Sequence, residues 1–356
     1  MQISDVVKKK VSPSEELQAE NEHLAALNRE LQAQVKAFLK DKGRFTNLVN
    51  EAVKAITPVS AYSSWSAPKK SKREYSIGMV LKVSDWQIGE VIDPKETEGF
   101  GVFNYEIAKQ RVFDLIDRVN AQANMYRKGG FDLPQLDIFS EADLLSGNIH
   151  YELEVTNEWP ITIAIARAAE LFAEMVRRLS TNFAIIKIWE MSADNHGRLT
   201  RKNQAKQGAQ NNYSRLAHEF ANALLAGLVE NGKVVVEMGE GTKLLADVVG
   251  QKFLISHGHE VMGSLGIPYY GLERGRAREA VKRLNTDKTF DYISCGHWHV
   301  PAIIASNILV NGSLPGTTEF DHMQGRHAAP QQVSFLVHPT HGIFGWTPWK
   351  LVRGTE

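Results

Sequence analysis

Between residues 75 and 320 the chain alternates short apolar runs with longer amphipathic segments. The runs 77–83, 136–139 and 183–189 have the length and apolar content of buried strands. The segments 105–123 and 161–179 between them carry apolar residues at helical spacing. Strands that alternate with helices predict βα units and a largely parallel sheet, and this pattern constrains the fold more than any other feature.

The pattern changes after residue 296. The runs 303–310 and 333–337 are predicted to be hairpin-forming strands without an intervening helix, and Asn311-Gly-Ser313 supplies a turn between them. We therefore expect a second, more antiparallel sheet. The predicted fold class is α/β: a four-layer αββα sandwich of two mixed β-sheets, with an N-terminal helical arm.

The first 73 residues are organised differently. Four apolar residues recur every seven positions: Leu17, Leu24, Leu31 and Phe38. Leu27 is the only apolar residue at the companion heptad position, so the repeat is half-filled and predicts a weak coiled coil. Self-association through residues 12–56 and an arm that lies on its own domain both fit this pattern. Residues 57–72 are rich in Ser, Pro and Lys and indicate a linker, so the predicted domains are 1–73 and 74–356.

The composition excludes several classes of protein. Lys+Arg and Asp+Glu both number 41, which argues against a surface built entirely for nucleic acid, although a local basic patch is compatible with it. The single cysteine, Cys295, excludes an internal disulfide and fits a reducing compartment. No window approaches the ~18 apolar residues that a membrane span needs. We expect a cytoplasmic protein that does not associate with membranes.

Five predicted strands each end in a loop that contains metal-ligand residue types. These loops contain Asp85 with Gln87, Asp143, Asn195 with His196, His257, and His297 with His299. In α/β proteins ligands bind outside the carboxyl ends of the strands, so the five loops are expected to share one cleft. Neutral imidazole is the commonest metal ligand in proteins. Each loop alone has an ordinary structural explanation, but five in succession indicate a metal site.

The order Asp-x-(His or Gln), Asp, Asn-His, His, Gly-His-x-His resembles the calcineurin-like metallophosphoesterase superfamily. The resemblance covers roughly residues 75 to 320, and its most specific parts are Gly296-His-Trp-His299 and Asn195-His196-Gly-Arg198. The Asn-His-Gly-Arg variant is similar to members encoded by bacteria and their phages. It implies a cytoplasmic location in a bacterium or in a phage-infected host cell.

The resemblance implies two divalent metal ions. One ion would take Asp85, Gln87, His299 and a bridging Asp143, and the other would take Asp143, Asn195, His257 and His297. Two ions ~4 Å apart can clamp a phosphate and activate a water molecule. Mn²⁺ is the expected metal, with Mg²⁺, Fe²⁺ or Zn²⁺ as alternatives.

The 195–198 motif contains two candidate catalytic residues, and the resemblance implies the role of the first. His196 follows a ligand without being one, and it would protonate the leaving oxygen or stabilise the transition state. Arg198 would pair with phosphate oxygens through its planar guanidinium group.

Three positions depart from the pattern of the superfamily. Gln87 replaces a histidine, and its harder amide oxygen favours Mn²⁺ or Mg²⁺ over Zn²⁺. Ala142 replaces a glycine, which costs little unless its φ is positive. Asp194 also replaces a glycine, and it would be an additional ligand, a residue that supports the ligands, or a residue that spoils the site.

Several neighbouring residues are weaker candidates. His150 and His259 lie in the ligand loops as supporting groups or substrate contacts, whereas Trp86 and Trp298 are packing residues or platforms for a base. A basic rim, or simply a solvated helix face, is predicted from Arg201, Lys202, Lys206, Arg274, Arg276, Arg278, Lys282 and Arg283.

The predicted function is metal-dependent hydrolysis of a phosphoester, with a nuclease or phosphodiesterase acting on DNA or RNA as the first choice. A phosphatase acting on nucleotides or phosphoproteins is the second choice. A non-catalytic scaffold, whose arm docks a partner, is the alternative from another class.

Overall fold

The computed structural model describes residues 76–200, 206–263 and 267–352, together with scattered helical residues between 18 and 36. The chain divides into two compact units, residues 1–55 and 56–356. Of the four heptad residues, Leu24 is described, and it is helical and 53% exposed. The remaining heptad residues and the linker lie outside the described residues, so the coiled coil and the domain division stay predictions. Among the described residues no helix is both long and apolar enough to cross a bilayer.

Within residues 76–352, the described ranges contain eleven strands and seven helices. The strands are β1 (Gly78–Val83), β2 (Gln135–Ser140), β3 (Ile185–Glu190), β4 (Val234–Met238), β5 (Leu244–Val248), β6 (Gln251–Ile255), β7 (Tyr292–Cys295), β8 (Ala302–Ile304), β9 (Ile308–Val310), β10 (Gln331–His338) and β11 (Gly342–Lys350). The helices are α1 (Tyr105–Lys128), α2 (Tyr151–Thr156), α3 (Ile161–Ser180), α4 (Tyr213–Leu224), α5 (Ala226–Glu230), α6 (Tyr269–Arg283) and α7 (Glu319–Met323).

The strands form two mixed sheets. The first has six strands in the order β11-β10-β1-β2-β3-β4, and the second has five in the order β5-β6-β7-β9-β8. In the first sheet β1 to β4 run parallel, as βα units require, and β10 joins β1 in antiparallel fashion. In the second sheet the parallel strands β6, β7 and β9 lie at the centre.

The alternation of side chains along β1 explains how the layers pack. Met79, Leu81 and Val83 point into a core with α1 and α3, whereas Val80 points into a second core between the two sheets. A third core, which contains Leu272 of α6, covers the outer face of the second sheet. The layer order is therefore helix, sheet, sheet, helix, and the predicted αββα sandwich is confirmed.

The predicted placement of the late strands is wrong. Residues 303–310 contain parts of two strands, because β8 and β9 form their own antiparallel hairpin. Its turn uses left-handed backbone at Ala305 (φ 48°) and Ser306 (φ 63°), without the glycine that usually signals such a turn. The run 333–337 lies in β10 of the other sheet, and α7 precedes it. Each sheet thus contains antiparallel strand pairs, and the late strands do not form a separate antiparallel sheet.

Candidate metal centre

The predicted ligands lie at one edge of the sandwich, because the strands that precede them all end there. Asp85, Asp143 and Asn195 follow β1, β2 and β3 of the first sheet, whereas His257 and His297 follow β6 and β7 of the second. The two sheets therefore contribute different ligand types: mainly oxygen from the first and imidazole nitrogen from the second. Asp85, Asp143 and His257 are almost completely buried.

Asp143 is at the centre of the first half of the site. Its Oδ2 atom lies 2.9 Å from His257 Nε2, which in turn lies 3.1 Å from Asn195 Oδ1. His257 Nδ1 donates a hydrogen bond to the carbonyl oxygen of Glu141 at 2.9 Å. That bond leaves Nε2 as the ligand nitrogen of a neutral ring. The ligand atoms of Asp143, His257 and His297 all lie within 4.8 Å of one another, a spacing that could hold one metal ion.

The second half of the site contains Asp85, Gln87 and His299. His299 Nε2 lies 3.4 Å from Asp85 Oδ1 and 3.3 Å from Gln87 Nε2. The backbone N–H of His297 donates to both carboxylate oxygens of Asp85, at 3.1 and 3.0 Å, and thereby joins the two halves. All seven predicted metal ligands thus lie in one connected group of side chains.

The donor atoms fit divalent cations. Gln87 Oε1 is buried without a hydrogen-bond partner, and Asp143 Oδ2 also lacks a hydrogen bond of good geometry despite its proximity to His257. Leaving buried polar atoms unpaired is costly, so a cation that binds these oxygens would remove the penalty. A mixture of carboxylate, amide and imidazole donors suits a divalent cation.

The backbone of the ligand loops is unusual. Five of the seven predicted ligands have left-handed backbone: Asp85 (φ 52°), Gln87 (φ 48°), Asp143 (φ 50°), His297 (φ 69°) and His299 (φ 58°). Such conformations are uncommon for residues other than glycine and cluster at functional sites. Left-handed backbone therefore coincides with the predicted ligands.

The electrostatics of the site favour bound positive charge. Burial opposes ionisation of Asp143, but His257 and His196 hold the pKa of its carboxyl well below the usual range. Burial alone would lower the pKa values of His257 and His299, yet Asp143 raises the first to about 10 and Asp85 raises the second to about 9. The same carboxylates would attract a divalent cation, which displaces protons from its imidazole ligands.

The pKa of His297 is shifted in the opposite direction. Burial, followed by the charge of His257, lowers the pKa of His297 to about 3. Its ring is therefore neutral at physiological pH and can donate a lone pair to a metal without first losing a proton.

Asp194 supports the ligands from behind. Its Oδ2 accepts hydrogen bonds from the backbone N–H of Asp143 (2.9 Å) and from Ser214 Oγ (2.5 Å). Its Oδ1 accepts from the backbone N–H of Gly197 (2.7 Å) and from Asn212 Nδ2 (2.8 Å). Because both oxygens already accept two hydrogen bonds, Asp194 ties the loop of Asp143 to the loop of Asn195 and is not an additional ligand.

Ala142 has φ +71° and is completely buried. At a positive φ the Cβ of alanine meets its own backbone, so alanine carries a conformational cost at this position that glycine would not.

The two predicted catalytic residues lie beside the ligands. The backbone N–H of His196 donates to Asp143 Oδ1 at 3.1 Å, and His196 Nδ1 lies 2.7 Å from the carbonyl oxygen of Ser146. The Nδ1–H therefore donates to that carbonyl. Arg198 is partly buried, and its charge acts on His259.

The weaker candidates lie in different environments: His259 in the site, His150 at the surface and Trp86 in the core. His259 lies in the site, with its ring centroid 5.6 Å from that of His257, and its buried Nδ1 has no hydrogen-bond partner. Burial, followed by His257, lowers the pKa of His259 to about 4. His150 is exposed at the start of α2, where its side chain forms no capping hydrogen bond. Trp86 is completely buried against Phe172, and is therefore a packing residue.

Trp298 and two basic residues of α6 have structural partners. Trp298 is partly buried, with its ring centroid 4.8 Å from that of His297, and it packs on the outer core of the second sheet. On α6, Lys282 and Arg283 both pair with Glu279, which partly neutralises the predicted rim. Arg201 and Lys202 lie outside the described residues.

Two acidic residues beside the site were missed by sequence reasoning. Burial raises the pKa of Glu90 to about 7, against the opposing effects of His196 and His299. Asp321 of α7 places an oxygen 4.0 Å from His299 Nδ1. Glu90 directly follows the Gln87-Ile-Gly89 turn, so extending the first motif by one residue would have included it. No local signal in the sequence indicates Asp321.

No protein-family model and no curated protein matches the chain. A conserved uncharacterized protein from Streptococcus pneumoniae, described as a predicted phosphoesterase, is 12% identical and aligns over 51% of this chain and 90% of its own, with a TM-score of 0.26. Vps29 from Entamoeba histolytica, in complex with Zn²⁺, is 11% identical over 77% and 99%, with a TM-score of 0.29. Vacuolar Protein Sorting 29 from Cryptosporidium parvum is 12% identical over 77% and 99%, with a TM-score of 0.30.

Proposed function

We propose that the chain is a dinuclear metal-dependent phosphoester hydrolase of the calcineurin-like metallophosphoesterase superfamily, of the type found in bacteria and phages. The observation that carries this proposal is the position of Asp143. Its carboxylate lies between His257 on one side and the loop of His196 on the other, and Asp85 and His299 complete the group. A carboxylate suits a bridging position because each of its oxygens can bind one cation.

Two sets of ligands would hold the ions. Asp85, Gln87, Asp143 and His299 form one set, and Asp143, Asn195, His257 and His297 form the other. When bound, two divalent ions, Mn²⁺ first among them, supply Lewis acidity toward a phosphate and lower the pKa of water.

The remaining chemistry belongs to side chains of this chain. His196 is oriented by its Nδ1–H bond to the carbonyl oxygen of Ser146, so the imidazolium form of the ring, which also carries a proton on Nε2, can deliver that proton to the leaving oxygen. Arg198, near His259, would pair with the non-bridging phosphate oxygens. Together these two residues bind the phosphate and protonate the leaving group.

For the substrate we propose a phosphodiester of DNA or RNA, with hydrolysis by a nuclease or phosphodiesterase. The support is the similarity of the Asn195-His196-Gly-Arg198 motif to bacterial and phage members. The second candidate is a phosphatase acting on nucleotides or phosphoproteins. It is favoured by Glu90 and Asp321, because two carboxyl groups beside His299 would repel an extended polyanion.

A substrate panel tests both the class and the choice within it. The purified protein with Mn²⁺ is assayed on single-stranded DNA, duplex DNA, cyclic nucleotides and p-nitrophenyl phosphate, with Asp143→Asn as the inactive reference. We expect hydrolysis by the wild type and none by Asp143→Asn. Equal turnover by the two proteins at full metal loading would show that Asp143 does not bridge the metals. Cleavage of the monoester alone would favour the phosphatase.

A further inference from the structure

Next to the predicted metal ligands, a lysine and a glutamate lie in the largely apolar space between the two sheets. Lys82 of β1 and Glu141, the residue after β2, are both completely buried, and Lys82 Nζ lies 3.4 Å from Glu141 Oε2. Burying two charges is costly, and apolar residues of similar size are often at least as stable. The pair therefore calls for an explanation other than stability.

Each member of the pair comes from the first sheet and binds the second. Lys82 Nζ donates to the carbonyl oxygens of Cys295 on β7 (3.2 Å) and Leu309 on β9 (2.6 Å). Glu141 accepts a hydrogen bond from the hydroxyl of Ser294, also on β7. The pair thus connects the sheets through directional contacts, whereas the surrounding apolar core fixes their relative position only by packing.

The residues that make these contacts lie within three positions of predicted ligands in the sequence. Lys82 precedes Asp85 by three positions, Glu141 precedes Asp143 by two, and Cys295 precedes His297 by two. The carbonyl oxygen of Glu141 also accepts the Nδ1–H bond of His257. A shift between the sheets at this level would therefore separate the oxygen ligands of the first sheet from the imidazoles of the second.

We propose that Lys82 and Glu141 are positioning residues that set the spacing of the two metal ions by fixing one sheet against the other. This inference rests on the proposed function, since it assumes a dinuclear site. Residues that orient metal ligands typically contribute ~10–100-fold to metal affinity. The Lys82–Glu141 pair should contribute within that range.

The test replaces the pair by apolar residues of similar size, Lys82→Met with Glu141→Leu, in the full chain. Mn²⁺ binding is followed by calorimetry, and the magnetic coupling between two bound Mn²⁺ ions by electron paramagnetic resonance. Folding is checked by chemical denaturation. We expect a folded double variant whose affinity for Mn²⁺ is ~10–100-fold lower and whose coupling signal is altered. Asp137→Asn is the matched control, because Asp137 lies on the same face of β2 but bonds to Trp189 and Gln135.

The control should retain the Mn²⁺ affinity and the coupling signal of the wild type. Glu141→Gln, which keeps the size of the side chain, provides a second variant if the double variant does not fold, and it should weaken Mn²⁺ binding in the same direction. Unchanged affinity and coupling in a folded variant would overturn the positioning role while leaving the proposed function intact. Binding of fewer than two Mn²⁺ ions by the wild type would instead overturn the dinuclear site, and the positioning role with it.

Discussion

The carboxylate of Asp194 accepts a hydrogen bond from the backbone N–H of Asp143, so Asp194 fixes the loop that carries the predicted bridging ligand. All four groups around Asp194 are donors: two backbone N–H groups, the Asn212 amide and the Ser214 hydroxyl. In Asp194→Asn the new NH₂ group would face donors. We expect a loss of about 1–3 kcal/mol in the free energy of unfolding, measured by chemical denaturation.

Asp247→Asn is the control for this variant. Asp247 is exposed and accepts one hydrogen bond, from the backbone N–H of Gly250, which asparagine can also accept. The free energy of unfolding of Asp247→Asn should match that of the wild type. If Asp194→Asn were equally neutral, the hydrogen bonds around Asp194 would not hold the two loops together.

Ala142→Gly should stabilise the protein. Left-handed backbone costs an L-residue roughly 1–2 kcal/mol of folded-state stability, whereas glycine adopts it freely. Glycine also loses more conformational entropy on folding than alanine, which reduces the gain in stability by about 0.5–1 kcal/mol. We expect a net gain of up to about 1 kcal/mol in the free energy of unfolding. Ala123→Gly, in the buried face of α1, should lose about 1 kcal/mol, since glycine is unfavourable inside a helix. Equal destabilisation by both variants would contradict the conformational explanation.

Gln87→His should change the metal preference. Imidazole is a softer and stronger donor than an amide oxygen, and residue 87 lies beside His299. The affinity for Zn²⁺, measured by calorimetric titration, should rise by about tenfold, equivalent to about 1.4 kcal/mol. The affinity for Mg²⁺ serves as the internal control and should not rise. An unchanged Zn²⁺ affinity would mean that residue 87 does not reach the metal.

His196→Ala should retain its metals, because every predicted ligand remains. Its turnover of an alkyl phosphoester should fall by ~10²–10⁴-fold, since an alkoxide leaves only with a proton. A p-nitrophenyl ester should be affected much less, because its phenolate leaves unprotonated. The measurement is the ratio of the two losses, with metal content determined in the same preparations and the exposed His150→Ala as the control. Equal losses on both substrates would exclude the acid role of His196.

The predicted arm of residues 12–56 should be separable from residues 74–356. A chain that begins at Arg73 should stay folded and active on a small substrate. If the full-length protein self-associates through the arm, light scattering should show that the shortened chain forms particles of lower mass. The decrease should exceed the mass of the removed residues. Failure of the shortened chain to fold would show that the arm packs into the core.

The sandwich and the ligand loops could be predicted because their signals are local. Each apolar run ends in polar residues, and parallel strands place those ends at one edge, so the grouping of Asp85, Asp143 and His257 follows from periodicity and topology. The partners of Asp194 could not be predicted, because Asn212 and Ser214 lie 18 and 20 positions away. The pairing of β10 with β1 likewise depends on the inter-sheet core, where Val333, Phe335 and Val337 pack, and not on the nearest strand in sequence.

Because the predicted ligands come from both sheets, metal binding under the proposed function would depend on the assembled fold. Gln87 and His299 are 212 positions apart in the chain, so their proximity exists only when both sheets are assembled. A fragment that contains either sheet alone would have only part of the ligand set. Bound metal would therefore act as a ligand of the complete fold, raising the free energy of global unfolding by about 2.7 kcal/mol when its concentration is 100 times its Kd. In a cell poor in that metal, the same protein would be both less active and more readily unfolded.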